Sequence, residues 1–142
     1  MIRRATIEDT PELAGLLAEL GFPAEPGTIA GRLRSMDEAG ELVLVAEIDG
    51  RVLGLSTVHI TPVLHRPTPV GRITALVVAP GARGRGIGRS LVEAAERHLA
   101  GAGCGLVEVT SNRSLGAAHA FYGRLGYEIT SFRFRKELPG TA

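Results

Sequence analysis

The stretch that decides the fold is Val77-Val78-Ala79-Pro80-Gly81-Ala82-Arg83-Gly84-Arg85-Gly86-Ile87-Gly88-Arg89. It reads as strand, glycine loop and helix start. Upstream of it, Val70 to Ala79 is nearly all apolar from Ile73 onward, as a strand buried on both faces must be. Downstream, Ile87, Leu91, Ala95 and Leu99 recur at i, i+4 spacing and predict an amphipathic helix closed by Gly101 and Gly103. Between them, glycines at every second position let the backbone turn tightly and approach a ligand. Free N–H groups and the dipole at a helix start attract anions. Arg83, Arg85 and Arg89 add full positive charge, so pyrophosphate is the expected guest. Two better-known phosphate loops fit poorly. A Walker A loop needs Lys-Ser/Thr after its last glycine, and Gly88 is followed by Arg89. A dinucleotide fingerprint beginning Gly84-x-Gly86 needs glycine where Arg89 stands.

Working outward, Leu106 to Thr110 is the next strand, which makes the loop part of a β-α-β unit. Before it, Leu42 to Ile48 is a strand, Asp49-Gly50 is a two-residue hairpin signal, and Val52 to Ile60 returns antiparallel. The chain opens with a strand over Ile2 to Ile7. A helix follows with Thr10 as N-cap, Pro11 in its first turn, leucines at 13, 16, 17 and 20, and Gly21 as its stop. Thr28 to Met36 predicts a second, shorter helix. Pro-rich segments at Phe22 to Gly27 and Thr61 to Pro69 are loops. Beyond the central unit, Ser114 caps a helix with Leu115, Ala118, Phe121, Tyr122 and Leu125 along one side. Gly126 ends it, and Tyr127 to Leu138 supplies one long or two short terminal strands. The order β-α-α-β-β-β-α-β-α-β predicts an α/β or α+β chain with a mixed sheet.

Composition limits the function. The 142 residues fit one domain, and 44% apolar with 22% charged residues suits an ordinary core. Sixteen basic against fifteen acidic residues leave a net charge of +1, which argues against a nucleic-acid binder. Lys136 is the only lysine, so almost every cation is an arginine, the better fork for phosphate or carboxylate. The lone Cys104 excludes an intrachain disulfide and a Cys-based zinc site. No apolar run approaches the ~20 residues that span a bilayer. A cytoplasmic setting, with no membrane and no metal, is the expectation.

Arg83-Gly84-Arg85-Gly86-Ile87-Gly88, preceded by Leu76-Val77-Val78-Ala79-Pro80, resembles the Arg/Gln-x-x-Gly-x-Gly/Ala signature of the GNAT superfamily of acyl-CoA-dependent N-acetyltransferases. Ala118-His119-Ala120-Phe121-Tyr122-Gly123-Arg124-Leu125-Gly126-Tyr127 is similar to that superfamily's second mark, and Ile2-Arg3-Arg4-Ala5-Thr6 with Asp9 to its opening strand and turn. The resemblance covers the whole chain in order. It implies a single N-acetyltransferase domain over residues 1–142. It also implies a GNAT-like, largely antiparallel mixed sheet with a V-shaped splay between strands 4 and 5, flanked by about four helices. Acetyl-CoA is the implied co-substrate. Carried over, strand residues Leu76, Val77 and Val78 meet the pantetheine arm, and Arg83, Gly84, Arg85, Gly86, Ile87, Gly88 and Arg89 hold the pyrophosphate. Asn112, Ala118, Phe121 and Tyr122 complete the cofactor contacts.

The implied chemistry is direct attack of a primary amine, on a small molecule or a peptide, with Tyr122 as general acid for the CoA thiolate. The phenol's reference pKa of ~10 lies above a thiol's ~8.5, so it still holds a proton to donate when the thiolate forms. Without the resemblance, Tyr122 reads as a core aromatic beside Phe121. The chain departs from the family pattern in two places. Arg72-Ile73-Thr74-Ala75-Leu76 lacks the carboxylate that many members carry before the loop, which leaves the base open among Glu108, His119, His59 and a water chain. Glu108 either faces solvent or faces the cleft. Leu115 stands where Asn is common, with Asn112 three residues earlier. The alternative reading is a non-catalytic acyl-CoA-binding sensor or partner module. The resemblance allows a homodimer and leaves the acceptor open.

Overall fold

Asp49 and Gly50 both take positive φ, 52° and 77°. That is the type I′ geometry whose twist matches two antiparallel strands. The turn joins β2 (Leu42–Ile48) to β3 (Arg51–Thr61). The pairing begins Ile48↔Arg51 and Glu47↔Val52, then shifts by one residue at a bulge, so that Ala46 faces Gly54 and Leu42 faces Val58. β1 (Ile2–Arg4) lies antiparallel on the outside of β2. β4 (Val70–Val78) lies antiparallel on the far side of β3. The computed structural model describes residues 1–110, 116–131 and 133–140. Among them the sheet order is β1-β2-β3-β4-β5, with β5 (Leu106–Val109) parallel to β4. A parallel neighbour needs a crossover, and α3 (Ile87–Gly101) supplies it. The mixed, mostly antiparallel sheet is the one expected.

α3 buries Ile87, Leu91, Val92, Ala95 and Leu99, all at 5% exposure or less. Each large aliphatic side chain contributes about 1.5–3 kcal/mol by leaving water. Two glycines bring the helix close to the sheet. A Cβ on Gly54 would stand 2.9 Å from a Leu91 methyl and 3.0 Å from one of Ile87. A Cβ on Gly71 would stand 2.7 Å from Leu99. The opposite face of the sheet is covered by α1 (Thr10–Leu20) and α2 (Pro26–Glu38). There Leu13, Leu16 and Ile29 pack with Val43, Val45, Val52, Leu55 and Val77.

The first strand stops at Arg4, earlier than its sequence predicts. Ala5 still donates to the Val43 carbonyl, but Thr6 and Asp9 then form a capping box, with the Thr6 N–H on Asp9 Oδ2 at 2.7 Å. Asp9, not Thr10, precedes α1. Thr10 is buried and donates its hydroxyl to the Ile7 carbonyl at 2.9 Å. Arg3 clamps this turn with two bonds to Asp9, 2.8 and 2.9 Å, and a third to Glu47. α2 runs longer than expected at both ends, with Pro26 in its first turn.

Arg3 holds the Asp9 carboxyl below the usual carboxylate range. A depressed folded pKa stabilises the protein at every pH above the unfolded value, about 4. That stabilisation disappears as pH falls through the folded value. Asp9→Asn is therefore expected to cost about 2 kcal/mol at pH 7, the range of a charge-assisted hydrogen bond. It should also flatten the acid limb of the stability curve below about pH 4. Urea melts of both proteins at neutral and acidic pH check this; equal acid slopes would refute it.

Met1–Thr110 and Ser111–Ala142 each form a compact unit. The second holds α4 (Gly116–Arg124), closed by Gly126 at φ 92° with the Tyr127 N–H on the Tyr122 carbonyl at 3.0 Å. The terminal strands expected over Tyr127 to Leu138 are not formed among the described residues. A strand needs a neighbour to take its hydrogen bonds, and α4 is the only regular element described in that unit.

Candidate active site

β5 pairs with β4 for four rungs only, from Val70↔Leu106 to Ile73↔Val109. β4 runs on to Val78, still paired with β3 as far as Gly54↔Val78. From Thr74 onward β4 therefore has one open edge among the described residues, which is the expected splay. The opening coincides with an irregularity. Thr57 faces Ala75 and Val58 faces Ile73, so Thr74 is bulged out of register. Its hydroxyl lies 2.7 Å from that of Thr57. Of the strand residues expected to meet a cofactor, Val77 is buried in the α1/α2 core, while Leu76 and Val78 are half-buried. What they offer a ligand is main chain.

The open edge leads into the loop. After a 3-10 turn at Pro80–Ala82, Gly84 and Gly86 take φ of 81° and 77°. Other residues adopt that region only at a cost. The first α3 bond runs from the Ser90 N–H to the Gly86 carbonyl. Among the described residues no protein acceptor takes the N–H groups of Arg83, Gly84, Arg85, Gly86, Ile87, Gly88 or Arg89. A run of free donors at the positive end of a 15-residue helix is an anion cradle.

The three arginines surround it on exposed side chains. Arg83 bonds the Val78 carbonyl at 3.3 Å and reaches Glu19 at 3.5 Å, Arg85 bonds the Gly81 carbonyl at 3.3 Å, and Arg89 lies 3.7 Å from Glu93. Exposed ion pairs of this kind are worth under about 1 kcal/mol, so a diphosphate can recruit these groups.

Glu108 is exposed and accepts a hydrogen bond from Arg72 Nε at 3.1 Å. His119 is exposed on α4. Ala118, Phe121 and Tyr122 are half-buried on the same helix. The Tyr122 ring meets Phe121 edge-on at 5.2 Å and Tyr127 at 5.9 Å. Burial raises its hydroxyl above the ordinary phenol value, which keeps the proton on the ring. Asn112 lies outside the described residues. Among them no three His, Cys, Asp or Glu side chains converge on a metal-sized site, and no helix is long and apolar enough to cross a membrane.

One pair escaped the sequence reading. His59, named as a candidate base, has its Nδ1 bonded to the Glu41 carboxylate. Glu41 also lines a cavity of about 150 Å³ with Ala5, Leu33, Arg34 and Asp37. A plain two-residue hairpin would set Glu41 opposite Val58. The bulge at Ala46/Glu47 moves it opposite His59, and that bulge carries no sequence signal of its own.

The profile described as "Acetyltransferase (GNAT) family" matches residues 10–127. An aminoalkylphosphonate N-acetyltransferase of Salmonella typhimurium is 35% identical, over 96% of this chain and 90% of its own length. A crystal structure of a Trypanosoma brucei acetyltransferase superposes with a TM-score of 0.83 at 26% identity, covering 97% of this chain and 99% of the other. A glucosamine-6-phosphate N-acetyltransferase of Arabidopsis thaliana shares the fold, with a TM-score of 0.85 at 23% identity, over 96% and 97% of the two chains.

Proposed function

Because the chain belongs to the acetyltransferase (GNAT) family and is an N-acetyltransferase that draws on acetyl-CoA, we propose that its acceptor is a small aminoalkylphosphonate and that Tyr122 protonates the departing thiolate. The observation that carries the acceptor is the 35% identity, nearly end to end, with an enzyme named for that substrate class. The physical setting supports it. A phosphonate bears up to two negative charges beside a primary amine, and nearly every cation of this chain is an arginine.

In this reading the free N–H groups of residues 83 to 89 take the pyrophosphate. The pantetheine arm then lies along the open edge of β4 and completes the hydrogen bonding that β5 leaves unused. The thioester carbonyl comes to rest beside Thr74 to Leu76, where a main-chain N–H can stabilise the oxyanion. The neutral amine attacks, the C–N bond forms and the C–S bond breaks. The sulfur leaves with the Tyr122 proton.

The test is release of free thiol from acetyl-CoA with aminomethylphosphonate, glycine or methylamine as acceptor. The expected order follows the anion, with aminomethylphosphonate at least about tenfold above glycine in kcat/KM, the value of one extra charge-assisted hydrogen bond. Equal rates for the three would overturn the acceptor. CoA binding without thiol release on any amine would leave only a binding module.

A further inference from the structure

We infer that His59 is the general base that takes the acceptor's proton, and that Glu41 is the positioning residue that orients it; the inference rests on the acetyl-transfer reading above. An alkylammonium has a pKa near ~10, so only about one molecule in a thousand is nucleophilic at pH 7. A base beside the thioester must remove that proton. Glu108, on β5, is held in an exposed pair with Arg72.

His59 lies in the same row, across Arg72 from Glu108, but its ring is bonded to the Glu41 carboxylate and not to an arginine. Leu55, Thr57 and His59 alternate along β3 onto one face, the face on which Leu55 joins the α1/α2 core. Arg72 stands directly across from His59 on β4. Thr74, where the open edge begins, lies two residues beyond Arg72 on the bulge, and its hydroxyl meets that of Thr57, two residues before His59.

Glu41 sets the chemistry of the ring. A carboxylate accepting the Nδ1–H fixes the tautomer whose Nε2 lone pair points away from the bond, and it stabilises the imidazolium once formed. The His59 side chain is 42% exposed and can be reached from solvent, while Glu41 is only 19% exposed. The charged groups facing the pair are Arg72 from β4, with Glu108 of β5 bound behind it, and Arg34 and Asp37 from α2, which share the cavity of Glu41. Arg72 is engaged by Glu108, and Glu41 is the carboxylate in contact with the ring.

The proton balance closes. The ammonium gives one proton to Nε2, and the freed lone pair forms the C–N bond as the C–S bond breaks. The thiolate takes the Tyr122 proton. The second amine proton returns to the tyrosinate through water, and the imidazolium releases its own to solvent.

The test is the pH dependence of kcat/KM for wild type, His59→Gln, Glu41→Gln and Glu41→Asp, together with nitrogen NMR of the ring. His59→Gln is expected to lose about 100-fold at pH 7. The deficit should close to within about threefold above pH 10, where the amine is neutral unaided, and acetyl-CoA affinity should not change. Glu41→Gln should lose about tenfold, and Glu41→Asp should recover part of that loss. In wild type the neutral ring should carry its proton on Nδ1, and in Glu41→Gln that preference should vanish.

A wild-type ring protonated on Nε2 overturns the inference. So does His59→Gln with an unchanged rate at pH 7, or with a deficit that high pH does not relieve. A wild type that acetylates no amine overturns the transfer reading and the base with it. The NMR result distinguishes the two failures, because it needs no turnover.

Discussion

Tyr122→Phe is expected to lower kcat about 100-fold and to leave the affinity for acetyl-CoA within about twofold. The magnitude is that of a lost general acid, at the lower end of its range. Phenylalanine keeps the ring and its edge-on contacts with Phe121 and Tyr127, so packing changes little. On the proposed mechanism what is lost is one proton donor, used only as the thiolate forms, so the effect should fall on kcat and not on binding. Burial raises this hydroxyl, so the wild-type enzyme should keep its donor through the alkaline range and lose rate only above pH 10. Steady-state kinetics with calorimetry of coenzyme A check both parts. A full-rate phenylalanine variant removes the tyrosine from the chemistry. A variant with weakened cofactor binding assigns it to the contact surface instead.

Gly86→Val raises the dissociation constant for coenzyme A about 30-fold or more, with kcat at saturation changed far less. Gly86 sits at φ 77°, immediately before α3. A left-handed residue costs roughly 1–2 kcal/mol with any Cβ, and a β-branched side chain fits it worst. Among the described residues, chain neighbours aside, no atom lies within 4 Å of the new Cβ, so the penalty is not a packing clash. It is backbone strain, relieved by turning the Arg85 to Gly88 donors out of their common direction. On the proposed binding those donors share one diphosphate, so a modest rotation removes several bonds together. Isothermal titration measures it. An unchanged constant would mean that the loop does not hold the cofactor.

Local signals made much of this legible. The β2 boundaries, the Asp49-Gly50 turn, the buried stripe of α3 and the central position of β4 all follow from alternation, turn chemistry and helical spacing, because each depends on neighbours in sequence. The first strand fell short because Asp9 serves Thr6 and Arg3 together, a three-way bond that no local pattern marks. Tyr127 to Leu138 reads as one or two terminal strands, but among the described residues no ladder forms there. The loop announced its own anion chemistry through glycine spacing. The Glu41–His59 pair did not, since it depends on a one-residue slip in a ladder. Glu93 illustrates the same limit on α3: helical spacing pairs it with Arg97, one turn later, but its ion pair is with Arg89, one turn before.

The two missing methyls beneath α3 have a wider reach. Gly54 seats the helix under Ile87 and Leu91, where the cradle begins, and Gly71 seats it under Leu99, near the other end. A rod of 15 residues spans about 22 Å. Its tilt is therefore set at two bearings, one of them remote from any ligand. Lifting the far bearing by a single carbon would swing the near end, and nucleotide affinity would register a change made a helix-length away.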